Sequence, residues 1–303
     1  MFNRKKILLI IGYTTFGLVA LSVSLFLTVP KDAIMQRIAH EIYTQSQGTM
    51  TFSFVDASSY RITGIAAEQV TLKFQGKNDE NMVLELASVC ARLRILPLFI
   101  FRLSVAWSIE LPGEGEISGI VSMRSGEKMQ IEMTLQHVDL MQQKILAKLL
   151  GVPVMGQLSG DVAMAFEKNL SNAKGQAQLQ LQTTAAGPGD LKGFSIPRVN
   201  IGTLSTEIKI DNGRAKIEKF QHTQGDFTAQ MTGQATLRTS LAMSSLDACV
   251  KFKFDNNFLE KNSKFQAVLQ LAEVSLRKDP GGFLNAPLNG TLSQPKLRSG
   301  TCS

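Results

Sequence analysis

The sequence predicts a mainly β protein, with a single N-terminal transmembrane helix ahead of a large antiparallel sheet and a few short helices. Three observations carry that expectation. Residues 7–29, "ILLIIGYTTFGLVALSVSLFLTV", contain no charged side chain, and about 20 mostly apolar residues suffice to cross a bilayer as a helix. From Thr49 onward, apolar and polar residues alternate through at least ten segments, the pattern of half-buried antiparallel strands. Gly, Asn and Pro punctuate those segments, as turns between strands require.

The elements follow in chain order. Arg4, Lys5 and Lys6 precede the apolar run with no acidic residue among them, so residues 1–6 form a basic end that stays cytoplasmic. A cleaved signal peptide has a shorter apolar region, roughly 7–15 residues, and a small-residue cleavage site. Here the bulky "LFLTVP" stands in that place, which favours an uncleaved anchor over residues 7–29. Residues 30–48 read as an amphipathic helix, with Pro30 near its start, Ile34, Ile38 and Ile42 four apart, and Gly48 as its stop. Its polar face is not notably basic, so packing on the following domain is expected rather than membrane-surface binding.

Period-two alternation then dominates. Met50, Phe52 and Phe54 alternate, as do Val70, Leu72 and Phe74, and Leu103 to Leu111 does so without a break. The pattern returns at 117–123, 129–135, 158–166, 173–181, 227–237 and 284–292. So many strands exceed a small flat sheet, and they should curl, close or split into two layers. Helical interruptions are expected at "ILPLFIF" (95–101), at "DLMQQKILAKLLG" (139–151) with Asp139 as cap, and within 255–282. In the last of these, 264–271 also fits a strand. The Gly/Pro-rich "TTAAGPGDLKG" (183–193) is a candidate divider between a first β portion (49–186) and a second (187–303).

The segment "STEIKIDNGRAKIEKFQ" (205–221) shows the pattern at its plainest. Asn212-Gly213 suits a type I′ turn, and pairing across it sets Ile210 opposite Ala215 and Ile208 opposite Ile217 on one face. The other face then holds Lys209 opposite Lys216 and Glu207 opposite Glu218, with Glu207–Lys216 and Lys209–Glu218 as favourable diagonals. Phe220 breaks the parity, which predicts a bulge. Ile208, Ile210, Ala215 and Ile217 are either plain core or the lining of an apolar groove.

Composition excludes several classes. Hydrophobic content of 44% and charged content of 19% describe a folding chain. The formal net charge is +7, of which Arg4, Lys5 and Lys6 supply three. The remaining basic residues are dispersed and not interleaved with aromatics, so no nucleic-acid partner is expected. Cys90, Cys249 and Cys302 are too few for a disulfide scaffold and lack metal-ligand spacing. Two readings stay open: a Cys249–Cys302 bridge stapling the tail in an oxidising compartment, or three free thiols with Cys90 a small buried hydrophobe.

The search for chemistry returns little. His40, His137 and His222 are scattered on a helix, at a strand end and in an expected loop, and form no ligand cluster. "GEGEISG" (113–119) lies between strands with no helix after it, so the dinucleotide-loop reading fails. "GPGDLKG" (187–193) lacks the Lys-Ser/Thr ending of a phosphate loop, and no Gly-x-Ser-x-Gly elbow occurs. Asn169-Leu-Ser171 and Asn289-Gly-Thr291 match glycan acceptors, which matter only in a eukaryotic host. No catalytic, cofactor-binding or metal-binding residues are expected, and the chain is not read as an enzyme.

The order of certain units is more telling. "LELASVCARLRILPLFIFRLSVAWSIELPGEGEISGIVSM" (84–123) resembles the strand, Leu-Pro-Leu crossover, strand, Pro unit of AsmA-like envelope proteins. "VDLMQQKILAKLLGVPVMGQLSGDVAMAF" (138–166) resembles their later unit, and "PLNGTLSQPKL" (287–297) their closing strand. With the length and the single N-terminal anchor, the arrangement is most similar to protein N of the type II secretion system, the GspN family. "FSIPRVNIGTL" (194–204) matches no unit.

The resemblance implies a curved, groove- or half-barrel-like sheet with an apolar inner face. It implies a bacterial inner-membrane protein, single-pass, with its bulk in the periplasm, and no catalytic residues or cofactors. Its expected partners are the inner membrane and other type II secretion subunits, in a structural or interaction role. The alternative function is lipid binding or lipid transfer in the envelope, with phospholipid held in an apolar β groove and pairing by exposed sheet edges reserved for the secretion role.

Overall fold

A computed structural model describes residues 12–14, 16–17, 20–21, 24, 30–46, 48–75, 81–124, 128–142, 147, 152–191, 194–273, 276–298 and 300–302. Most of the expected anchor, residues 7–29, lies outside these. Among the described residues no helix is long and apolar enough to cross a membrane.

Alternation in sequence becomes one antiparallel sheet of 15 strands. Its strands are β1 (Met50–Ser53), β2 (Asp56–Tyr60), β3 (Gly64–Gln75), β4 (Asn81–Leu93), β5 (Arg102–Glu110), β6 (Glu116–Arg124), β7 (Lys128–Asp139), β8 (Val154–Glu167), β9 (Asn169–Ala186), β12 (Val199–Asp211), β13 (Arg214–Thr223), β14 (Phe227–Thr236), β15 (Ser245–Phe254), β16 (Leu284–Thr291) and β17 (Gln294–Leu297). From β3 each strand pairs with the next, and β1 and β2 lie end to end along the free side of β3. A small hairpin, β10 (Gly189–Leu191) with β11 (Phe194–Ile196), stands apart. The Gly/Pro segment therefore does not divide the sheet: β9 and β12 are hydrogen-bonded neighbours, and the hairpin is an excursion between them. With 14 strands abreast at roughly 4.8 Å each, the sheet runs about 60 Å along its hydrogen-bonding direction.

Among the described residues, α-helices with both ends placed accompany it: α1 (Lys31–Gln45), α2 (Ile95–Leu98), α3 (Asn256–Lys261) and α4 (Ser263–Glu273). Helix α1 ends as expected, with Gly48 at φ +80 donating its N–H to the Tyr43 carbonyl. The Ile34, Ile38, Ile42 row is only partly its inner face, with Ile34 and Ile42 half-buried. Met35 is buried and enters the core, while Ile38 is exposed. Residues 264–271 are helical rather than strand, and Asn262 interrupts the run at φ −127. Asp139 is the last residue of β7. Its carboxylate accepts the Met141 N–H at 2.9 Å, and most of the expected helix lies outside the described residues.

The hairpin at 205–221 keeps Ile210 opposite Ala215, Ile208 opposite Ile217 and Lys209 opposite Lys216, around Asn212 and Gly213 at φ +46 and +71. A bulge between Glu207 and Ile208 shifts the pairing beyond it by one residue. Glu207 consequently faces Lys219 rather than Glu218, with an ion pair at 3.4 Å. Phe220 returns to the apolar side as its broken parity predicts.

Bulges also line up across the sheet. Register shifts occur after Leu135, Met155 and Asn200. His137 (φ +47), Gly156 (φ +133), Thr183 (φ +48), Gly202 (φ +79) and Gln224 (φ +61) mark neighbouring strands at one level. A β-carbon on Gly202 would collide with the Gln224 and Thr223 carbonyl oxygens. Each such position bends and twists its strand. Side by side, they make a crease across β7, β8, β9 and β12.

Candidate functional site: the apolar face of the sheet

In an antiparallel pair, directly opposed residues share a face, so the registers trace one face from strand to strand. Ile109 faces Ile117, which faces Leu135. Met133 faces Val162, Val162 faces Ala177, Ala177 faces Ile208 and Ile208 faces Ile217. Ala215 faces Ala235, Met231 faces Val250, and Val250 faces Ala286. All are apolar. On the reverse face the neighbours are Glu132, Asp161, Gln178, Lys209 and Lys216.

The same face absorbs a change of parity in β3 and β4. Ala67 and Val89 share a cluster with Val70, Leu72, Leu84 and Leu86, and Gln69, between Ala67 and Val70, sits at φ +50. On β5 and β6, the Trp107 indole lies over Gly119, its cross-strand partner, and fills the space a side chain would have taken.

Among the described residues, helices cover the two flanks of this face and none covers its centre. At the N-terminal flank Met35 of α1 joins Ala67, Val70, Leu86, Leu111 and Val138 in a buried cluster. At the C-terminal flank Phe254 packs against Phe227, Phe252, Phe258 and Phe265, with ring centroids 5.2–5.9 Å apart, and Leu269 of α4 meets Leu276, Leu284 and Ala286. Between the flanks Val121, Ile131, Met133, Val162, Leu179, Ile217 and Met231 are only half-buried. Of the four residues singled out from sequence, Ile210 is buried with Ala173 and Leu237, and Ile208 and Ala215 pack on that cluster. Ile217 faces Ile208 on the same side, half-buried. All four therefore lie on the dry face, and the continuity of that face across the sheet is not visible in the sequence.

His222 lies in β13, not in a loop, and holds the sheet together where its ladder fails. Hydrogen-bonded pairing of β13 with β14 covers only Arg214, Lys216 and their partners around Ala215. At the far end His222 Nε2–H donates to the Ile201 carbonyl at 2.5 Å, and Nδ1 accepts the Ala229 N–H at 3.2 Å. Its ring stacks on Phe227 at 5.0 Å. His40 on α1 and His137 in the crease are exposed.

The reverse face is polar. Cys90 points there with Arg92, Ser108, Ser118 and Glu132 around a cavity of about 360 Å³. It is a free, buried thiol, and burial pushes its pKa up. Cys249 and Cys302 form a disulfide with Cα atoms 5.8 Å apart, which ties the tail back onto β15. Beneath the tail Lys216, Asp247, Asn289 and Arg298 line a cavity of about 470 Å³. Among the described residues no group of three or more His, Cys, Asp and Glu could hold a metal ion.

What the arrangement offers is a broad apolar face with helical flanks. Comparison with protein-family models, with curated proteins and with solved structures returns no match.

Proposed function

We propose that this chain is a bacterial envelope protein, held at the inner membrane by residues 7–29, whose periplasmic sheet binds phospholipid acyl chains along its apolar face. The observation that carries this reading is the continuous dry face from β3 to β16, flanked by helices and, among the described residues, uncovered in the middle. A soluble protein rarely leaves a contiguous apolar patch beyond a few hundred Å² open to water. A sheet this wide does not stay flat, and the crease bends β7 to β12 together, so the face is read as the wall of a groove or half-barrel. The Cys249–Cys302 disulfide agrees with an oxidising compartment. The secretion-subunit role rests on the order of the sequence units, and β17, exposed at every residue, is the edge that strand addition would use.

Photo-crosslinking residues distinguish these readings in cells. A benzoylphenylalanine placed at Val162 or Leu179 is expected to yield phospholipid adducts, and one at Ala163 or Gln178, on the reverse face, is not. Absence of lipid at both apolar-face positions, with protein adducts at β17, would sink the lipid reading in favour of the scaffold.

A further inference from the structure

At the end of the strands away from α1, the chain turns at 61–63 and crosses from β4 to β5 through α2. The crossover is the most exposed apolar feature among the described residues. Leu96, Phe99, Ile100 and Phe101 are 81%, 78%, 66% and 85% exposed, and Ile62 beside them is 74% exposed. This is not a loose loop. The Phe99, Ile100 and Phe101 N–H groups donate to the Leu96, Pro97 and Leu98 carbonyls, and Arg94 N–H donates to the Ser104 carbonyl at 2.8 Å. The Thr63 hydroxyl and backbone both bond Leu93, so the first turn is pinned beside the crossover.

The apolar tip has a cationic collar. Segments 60–64, 92–102 and 122–130 carry Arg61, Arg92, Arg94, Arg102, Arg124 and Lys128 against Glu127, with Glu167 of β8 opposite Lys128. Arg102, Arg124 and Lys128 line a cavity of about 430 Å³ with Ile100, Ser122 and Gln130. Arg102 donates to Gln130, and the buried Ser104 and Ser122 hydroxyls bond each other at 3.1 Å behind it. Among the described residues no carboxylate lies within ion-pair distance of Arg94, Arg102, Arg124 or Lys128.

Bulky apolar and aromatic side chains raised above a ring of arginines match the layering of a bilayer surface, acyl chains beneath anionic phosphates. A protein partner would have to supply a matching acidic rim. We propose that this end of the sheet docks onto an anionic lipid bilayer, with Leu96, Phe99, Ile100 and Phe101 entering the acyl boundary and the Arg102–Arg124–Lys128 cavity receiving a lipid phosphate. The site stands independently of any acyl-chain cargo on the dry face. It lies beyond the part of the strands that α1 covers: Met35 packs on Leu86, seven residues or roughly 23 Å along β4 from Leu93.

The test uses the full chain carrying Phe99→Cys, labelled with the polarity-sensitive dye NBD, and Leu96→Cys as a second site. Cys90 is buried and the other two cysteines are bridged, and unsubstituted protein gives the labelling background. Phosphatidylglycerol-containing vesicles with doxyl-labelled chains are supplied either as the host membrane or as separate vesicles. In at least one arrangement the dye is expected to shift to the blue and lose most of its emission to the doxyl quencher. Replacing Arg102, Arg124 and Lys128 by Gln should raise the vesicle concentration for half-quenching about fivefold per charge. Water-like emission at both sites in both arrangements would overturn the docking. Quenching indifferent to the three substitutions and to salt would overturn the phosphate site.

Discussion

The crease makes a sharp energetic claim at Gly202. An alanine there must take a left-handed conformation, φ +79, which costs an L-residue about 1–2 kcal/mol. The smaller entropy that alanine loses on folding returns about 0.5–1 kcal/mol. The β-carbon also collides with the carbonyls of Thr223 and Gln224, which are backbone and cannot rotate away. Relief requires β12 to part from the end of β13. That threatens the His222–Ile201 bond and the Asn200–Asp226 pair, whose two bonds are 2.6 and 2.7 Å. Losing one or two such bonds adds about 1–3 kcal/mol. Gly202→Ala should therefore destabilise by about 3 kcal/mol and lower the melting temperature by roughly 6–12 °C. Thermal unfolding of the full chain in detergent, followed by circular dichroism of the sheet signal, measures it. The reciprocal change is Thr183→Gly, at φ +48 in the same crease. It removes the left-handed penalty of an exposed β-branched residue and should stabilise by about 0.5–1 kcal/mol. Equal melting temperatures for wild type and Gly202→Ala, or a destabilised Thr183→Gly, would refute the crease as the source of the bend.

Two further outcomes are expected. Reducing the Cys249–Cys302 bridge, which spans 53 residues, should cost about 4 kcal/mol in the chain-entropy picture and roughly 10 °C of melting temperature; three alkylatable thiols in unreduced protein would refute the bridge. His222→Ala leaves the Ala229 N–H and Ile201 carbonyl without their partners and should speed hydrogen exchange at 227–231 far more than at 214–216, a pattern that a uniform loss of stability would contradict.

Much of the fold was legible because a half-buried strand writes its two faces into the sequence. The strands at 102–110 and 116–124, and the turn at Asn212-Gly213, follow directly from alternation and φ preference. Phe220 shows that even a bulge can be read when a large apolar residue falls out of phase. Elsewhere the signal fails for identifiable reasons. "DASSY" has a single bulky residue, Tyr60, with nothing to alternate against, so β2 leaves no pattern. Thr183 is β-branched and disfavours positive φ, and a lone histidine such as His137, although enriched there, is too weak a signal to read, so the crease leaves no mark except at Gly156 and Gly202. The register at Glu207 and Lys219 depends on that same kind of local insertion. His222 reads as a loop residue because its role, bridging two diverging strands, is set by contacts with Ile201 and Ala229 rather than by its neighbours in sequence. The dry face at Ile208, Ile210, Ala215 and Ile217 is visible locally. Its continuity across the sheet is a property of register, which pattern alone does not supply.

The two edges of the sheet bear on which surface this protein uses. Strand addition favours a long, flat, unpaired edge. At one edge β1 and β2 are four and five residues long and broken from each other. At the other, β17 has four residues, and Pro295 removes one donor from its free row. Both are the blunted kind that discourages pairing. The long strands, β8 and β9 at 14 and 18 residues, are interior and have no edge to offer. What they do present is the half-buried centre of the apolar face, which no other described element covers. A chain that blunts its edges while presenting such a face is suited to contacts through the face. That favours an apolar ligand over a neighbouring strand as its occupant, and Val162 and Leu179 are the positions at which the difference is read.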